Sequence, residues 1–234
     1  MDTLHIVMPA YNEEMNIIAV VEQWYPLLAG KNPDSRLVVA DSGSSDRTHE
    51  ILLSLREKYP QLVILTDTLK QHGPKLIALY RYAIDNHADY VFQTDSDGQT
   101  DPDEFSVFWD NREQYDAVLG HRAIRGDGRS RAFVEKVVCL LLRLYFGVKV
   151  PDANAPFRLM NCVMLKKYVD RFEEDYNLPN IMLTAFFVHN KERVLFREIT
   201  FAPRRAGTNS IDLKKITKIG LKAVRDFRFY RRIM

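Results

Sequence analysis

Apolar residues in the first half of the chain fall into short unbroken runs, separated by stretches with helical spacing. LHIVMP (4–9), RLVVAD (36–41), LVILTD (62–67) and DYVFQTD (89–95) are mostly apolar over four to six residues, the pattern of strands covered on both faces. Between them, EEMNIIAVVEQWYPLL (13–28), THEILLSLREKY (48–59) and GPKLIALYRYAIDN (73–86) place apolar residues three and four apart, as helices do. PDEFSVFWDN (102–111) adds another helix, with Asp101 as its cap and Pro102 in its first helical position. Strand and helix in alternation predict an α/β fold: a mainly parallel sheet, right-handed crossovers and helices on both faces.

In such sheets ligands bind beyond the carboxyl ends of the strands. Three polar clusters fall there: YNEE after the first strand run, DSGSSDRT after the second and DSDGQTDP after the fourth. DSGSSDRT is also readable as a turn in which Asp46 caps the following helix. DSDGQTDP is harder to explain as capping, because Asp101 already serves that purpose. Asp95 and Asp97 stand two apart at a strand end, where both carboxylates reach one hard divalent cation, with Gln99 offering a third oxygen.

Charge changes the picture at the other end. The net charge is +2, but residues 204–232 hold ten Lys and Arg against two Asp, leaving residues 1–203 at a net −6. In IDLKKITKIGLKAVRDFRFYRRI, Leu213, Ile216, Ala223, Val224 and Phe227 fall on one helical side. Lys214, Lys215, Lys218, Lys222, Arg225 and Arg228 fall on the other. A basic amphipathic helix over 211–234 is therefore expected, lying on an anionic membrane or docked on the core. No nucleic-acid recognition motif accompanies this charge. The longest apolar stretch, VVCLLLRLYFGV, is broken by Arg143 and falls short of a membrane span, and MDTLHIVMPAYNEE lacks the basic start and apolar core of a leader. With Cys139 and Cys162 in no metal spacing, a reduced cytoplasmic protein, peripheral on the inner membrane face, is the expectation.

PAYNEE, VVADSGSSDRT, GPKLIALYRYA and TDSDGQTDP, in that order over roughly residues 5 to 110, resemble the family-2 inverting glycosyltransferases of the GT-A fold. GHRAIRGDGRSRAF, PDANAPFRL and APRRAGTNSI resemble the branch with dolichyl-phosphate mannosyltransferases and bacterial polyprenyl-phosphate glycosyltransferases. The chain departs from that branch at Pro156-Phe157-Arg158, often Gly-Phe-Arg, and at Asp41-Ser42, often paired aspartates.

The resemblance implies one GT-A domain over 1–210, with a nucleotide-binding half (1–115) and an acceptor half (116–210). It also implies a nucleoside-diphosphate sugar as donor. Pro9, Tyr11, Glu13, Asp41, Lys75 and Asp95 would line the donor, and Asp95, Asp97 and Gln99 would hold Mn²⁺ or Mg²⁺. The expected acceptor is a polyprenyl phosphate, held by Arg131, Arg158, Arg204 and Arg205; Arg122, Arg131, Asp97 and Asp152 form the expected catalytic group. A saccharide hydroxyl as acceptor is the alternative, with Asp152 as base. A non-catalytic nucleotide-binding module docking through its basic tail is the alternative of another class. A separate membrane-protein partner or a homo-oligomer remains compatible with each.

Overall fold

The computed structural model describes residues 1–124, 129–203 and 224–232. Seven strands form one sheet: β1 (Leu4–Ala10), β2 (Arg36–Asp41), β3 (Leu62–Leu65), β4 (Tyr90–Thr94), β5 (Ala117–His121), β6 (Phe157–Asn161) and β7 (Val194–Glu198). Their order is β3-β2-β1-β4-β6-β5-β7. The predicted parallel part is β3-β2-β1-β4, in register Val7 against Val38 and Ile6 against Phe92. β6 runs antiparallel to both β4 and β5, making the sheet mixed and continuous through both halves of the chain.

Alternate residues of each strand feed opposite layers, as a pleat requires. Val7, Val38 and Val91 point into one core with α3 (His72–Asp85), α6 (Cys162–Val169), α7 (Pro179–His189) and the end of α5 (Arg129–Phe146). Ile6, Val39 and Phe92 point into the other, with α1 (Ile17–Trp24), α2 (Thr48–Lys58) and α4 (Phe105–Asp110). The second layer is held by aromatic edges: Phe92 meets Phe157 at 4.7 Å and Phe105 at 5.0 Å between ring centroids. α7 is buried from Pro179 to Phe187, which is why its sequence is apolar on nearly every side.

Two helix starts carry side-chain caps. Asp101 accepts from the Asp103 N–H at 3.0 Å, and Asn161 accepts from Val163 and Met164 N–H groups to begin α6. At Gly73 a Cβ would lie 2.5 Å from the Asn177 backbone, so only glycine lets α3 pack this closely against the segment leading into α7. That packing presents Lys75 beneath the ends of the strands.

Of the expected C-terminal helix, residues 224–232 are helical, and 211–223 and 233–234 lie outside the described residues. Phe227 and Tyr230 are buried; Phe227 packs on Tyr145 and Phe146, and Tyr230 on Phe172, Tyr176 and Phe186. Arg225 and Arg228 are exposed on the other side, as the sequence pattern requires.

Candidate active site

The turns after β1, β2 and β4 converge at the carboxyl edge of the sheet and are stitched together by side chains. Asn12, held at φ 55°, donates its N–H to Ser44 Oγ and accepts from the Ser45 N–H at 2.8 Å. Asp46 takes the Thr48 N–H at 3.0 Å, the Thr48 hydroxyl at 2.6 Å and the Glu14 N–H at 3.1 Å. Desolvation acts to raise its pKa, but these bonds outweigh it and hold the carboxyl below its ordinary range. The turn reading of Asp46 therefore holds, one residue ahead of the N-cap position Arg47, beside any role of that loop in binding.

Asp41 ends β2, buried, accepting from the Ser44 hydroxyl at 2.5 Å and facing His49 Nδ1 at 3.1 Å. Lys75 is buried as well, and its ammonium donates to the Ala10 carbonyl at 2.5 Å. Desolvation lowers its pKa to about 8, with the charge of Asp41 opposing that fall. The Tyr11 ring is shared by two cations, Lys70 at 4.9 Å and Lys75 at 5.4 Å from its centroid. Lys70 also runs over Gly43, with its stem 3.2 Å from where a Cβ would stand. Pro9 is buried and its carbonyl accepts from Ser96 Oγ at 2.8 Å, which ties β1 to the acidic loop. Glu13 is buried too and accepts from Asn16 Nδ2 at 2.7 Å, bracing the start of α1.

The acidic loop closes on itself through Thr94 and Thr100, whose hydroxyls are 2.7 Å apart, and turns at Gly98, φ 71°. Asp95 and Asp97 are half-buried at its rim. Asp95 Oδ1 is approached by His72 Nε2 and Gln93 Nε2, both at 3.3 Å, and Asp97 Oδ1 accepts from the Gln99 N–H at 3.2 Å. Partial desolvation lowers the His72 pKa, but the bond and charge of Asp95 outweigh it and raise the imidazole above its ordinary value. Gln99 is buried with its amide nitrogen on the Ala202 carbonyl at 2.6 Å, so it anchors the strand-like segment at Thr200–Ala202 to this loop. Among the described residues no three His, Cys, Asp or Glu side chains converge. The donor set fits a hard divalent cation held by one or two carboxylates and completed by substrate phosphates.

On the acceptor side Arg122 and Asp152 form a buried pair. Asp152 Oδ2 accepts from Arg122 Nε at 2.8 Å, and Oδ1 from Arg122 Nη2 at 2.9 Å and the Asn154 N–H at 3.0 Å. Burial acts to raise the Asp152 pKa, but Arg122 outweighs it and keeps the group ionised. Glu135 of α5 reaches Arg122 at 3.5 Å and the Ala153 N–H at 2.8 Å. Arg131 is half-buried one turn earlier on the same helix face. Asp152, the base of the hydroxyl-acceptor alternative, is placed as the partner of Arg122, with both of its oxygens engaged.

Arg158 corrects an expectation. Expected to hold the acceptor, it is 1% exposed and donates to the Asn180 carbonyl at 2.9 Å and to the Thr184 hydroxyl. Facing inward from β6, it sits among polar groups that run from Asp95 through Gln93 to Asn180, and from Thr184 to the Ala153 carbonyl. Arg204 and Arg205 lie outside the described residues. Sequence reasoning missed Lys70, His72, His49, Gln93 and Glu135. His72, His49 and Gln93 each stood directly beside a quoted motif; Lys70 and Glu135 enter through loop and helix packing.

The sheet order, the acidic strand-end loop and the buried lysine define a GT-A-type α/β domain. The chain belongs to glycosyl transferase family 2, matched over residues 5–170. It is 24% identical over 218 residues to the undecaprenyl-phosphate 4-deoxy-4-formamido-L-arabinose transferase of Pectobacterium carotovorum subsp. carotovorum, covering 92% of this chain and 64% of that relative. The chain thus spans somewhat under two thirds of the length of this relative. It is 27% identical over 109 residues, 44% of this chain and 33% of the relative, to a dolichyl-phosphate beta-glucosyltransferase of Trichomonas vaginalis. Among solved structures, glucosyl-3-phosphoglycerate synthase of Mycobacterium tuberculosis, in complex with Mn²⁺, UDP-glucose and glycerol 3-phosphate, superposes with a TM-score of 0.70. That match covers 98% of this chain and 80% of the other at 20% identity, a likeness of fold.

Proposed function

We propose that the protein transfers a sugar, with inversion, from a nucleoside-diphosphate sugar to a polyprenyl phosphate at the cytoplasmic face of a membrane. The observation that carries the acceptor choice is the state of Asp152. A hydroxyl acceptor needs a base with an available lone pair near its proton, whereas a phosphate acceptor arrives already anionic. Among the described residues, the one buried carboxylate on the acceptor side spends its oxygens on Arg122 and Asn154. Undecaprenyl- and dolichyl-phosphate transferases among the relatives support the same choice.

On this reading Asp95 and Asp97 hold a divalent cation, Mn²⁺ or Mg²⁺, positioned by the Gly98 turn and by Gln99. When bound it supplies charge neutralisation for the departing nucleoside diphosphate. Asp41 accepts from the base edge, Tyr11 lines the nucleoside, and Lys70 and Lys75 bring positive charge to the same crevice. Arg131, with Arg204 and Arg205, holds the acceptor phosphate, and Arg122 keeps the Asp152 loop in place. The acceptor oxygen attacks the anomeric carbon from the side opposite the leaving group.

The test is transfer of radiolabelled sugar to a polyprenyl phosphate in the presence of Mn²⁺. Arg131→Ala is expected to raise the acceptor KM about ten- to a hundredfold, the loss of one charge-assisted bond. Asp152→Asn is expected to cost less than the ~10²–10⁴-fold that removal of a general base costs. Transfer only to a free saccharide, with kcat collapsing in Asp152→Asn, would promote the hydroxyl acceptor instead.

A further inference from the structure

One face of α5 has no partner among the described residues. Phe133 (67% exposed), Val137 (38%), Leu140 (54%) and Leu144 (66%) follow one another at steps of four, three and four, which places them in a single stripe along the helix. Lys136 and Arg143, both exposed, stand seven residues apart along one margin of that stripe. The only acidic residue of α5, Glu135, is turned inward, where it holds Arg122 and the Ala153 N–H. Exposed apolar side chains scattered singly need no explanation, but a continuous stripe of them with a basic margin does.

We propose that this face of α5 is the surface on which the domain lies against an anionic lipid bilayer. Charge decides between a bilayer and a second copy of the chain. The stripe has the spacing of a coiled-coil seam, with Lys136 and Arg143 at the positions that set pairing. In an antiparallel pair the basic margins of two copies would face each other; in a parallel pair they would face Val134 and Leu141. Neither arrangement supplies an opposite charge, whereas anionic headgroups do, with the apolar ridge entering the headgroup–acyl boundary. A second basic element adjoins the end of α5. Phe227 packs against Tyr145 and Phe146 at the end of α5, and Arg225, Arg228, Arg231 and Arg232 of that segment are exposed.

The placement deepens the proposed function and rests on it in one respect: a polyprenyl phosphate presents its reactive group at a bilayer surface. One face of α5 would then touch lipid, while the opposite face, through Glu135, braces Arg122 and the Asp152 loop.

The experiment is co-sedimentation of the full chain with vesicles of phosphatidylcholine plus phosphatidylglycerol, and with phosphatidylcholine alone. The wild type is expected to favour the mixed vesicles. Leu140→Ser/Leu144→Ser should weaken partitioning about tenfold or more, and Lys136→Glu/Arg143→Glu should abolish the preference for phosphatidylglycerol. Both pairs are exposed, so thermal melting should be little changed. Transfer to a short, water-soluble polyprenyl phosphate should stay within about twofold of wild type, while transfer to a long-chain acceptor in vesicles falls. Equal partitioning of wild type and variants, or no partitioning at all, overturns the surface, whatever the acceptor proves to be. Loss of partitioning in the variants without transfer to any lipid phosphate upholds the surface and overturns the acceptor. A wild-type dimer that Leu140→Ser/Leu144→Ser converts to monomer, with vesicle binding unchanged, assigns the stripe to a second copy.

Discussion

Asp97 and His5 sit at opposite ends of the parallel strands, and their environments predict opposite kinds of failure. Asp97 is a half-buried loop residue whose removal costs little packing. Asp97→Ala is expected to keep the wild-type melting temperature within a few degrees and to lose transfer at saturating donor and Mn²⁺. Activity within a few-fold of wild type would remove the cation from the acidic loop. His5, by contrast, is 1% exposed, with Nε2 against the Asp34 carbonyl at 3.3 Å and Nδ1 buried without a hydrogen-bond partner. Desolvation lowers its pKa from 6.5 to about 4. Between those values the unfolded chain binds a proton that the folded chain refuses, so stability is lost as pH falls from about 6.5 towards 4, by up to about 3 kcal/mol. Asp152 and Asp46, whose folded pKa values are lowered, lose their contribution only in more acid solution. Urea midpoints should therefore fall between pH 7 and 4.5 in the wild type and fall distinctly less in His5→Gln; parallel curves would refute the assignment.

At the scale of elements, the end of the chain matters for packing as well as for charge. Phe227 is fully buried and meets Tyr145 and Phe146 edge-on, while Tyr230 covers Phe172, Tyr176 and Phe186. Phe227→Ala is expected to cost about 3–5 kcal/mol in chemical denaturation, the usual loss for a buried aromatic ring. A chain ending near Ser210 would uncover all five partner rings, so its melting temperature should drop and 1-anilinonaphthalene-8-sulfonate fluorescence should rise. Truncation therefore confounds folding with membrane binding, and the charge reversals on α5 separate the two. A truncated chain with unaltered melting would show that 224–232 adds nothing to the core.

At the scale of the whole molecule, the crevice is built from three loops and the N-terminal half of α3, and a nucleotide bridging them should stabilise all at once. Nucleoside diphosphates with Mn²⁺ are expected to raise the melting temperature by several degrees, since a ligand at a hundred times its Kd adds about 2.7 kcal/mol. The shift should shrink without the cation and disappear in Asp97→Ala. A shift that persists unchanged without Mn²⁺ would mean that the phosphates are held by Lys70 and Lys75 alone.

The amino-acid sequence by itself determined the parallel core of this protein. Strand runs such as LHIVMP and helical runs such as GPKLIALYRYAIDN are local patterns, and alternating them leaves few ways to bury both. It also placed Asp41, Asp95 and Asp97 at strand ends, because the loop after a parallel strand opens at one edge of the sheet. Tertiary structure alone decided the rest. No strand is read in the sequence beyond DYVFQTD, and only pairing with both β4 and β5 makes β6 antiparallel. Arg122 and Arg158 are the same residue type and both are buried, yet one pairs with Asp152 and the other donates to the Asn180 carbonyl in the core. Lys70 reaches Tyr11 from a different loop. These roles depend on which residues distant in the chain share a few ångströms of space, and local periodicity carries no information about that.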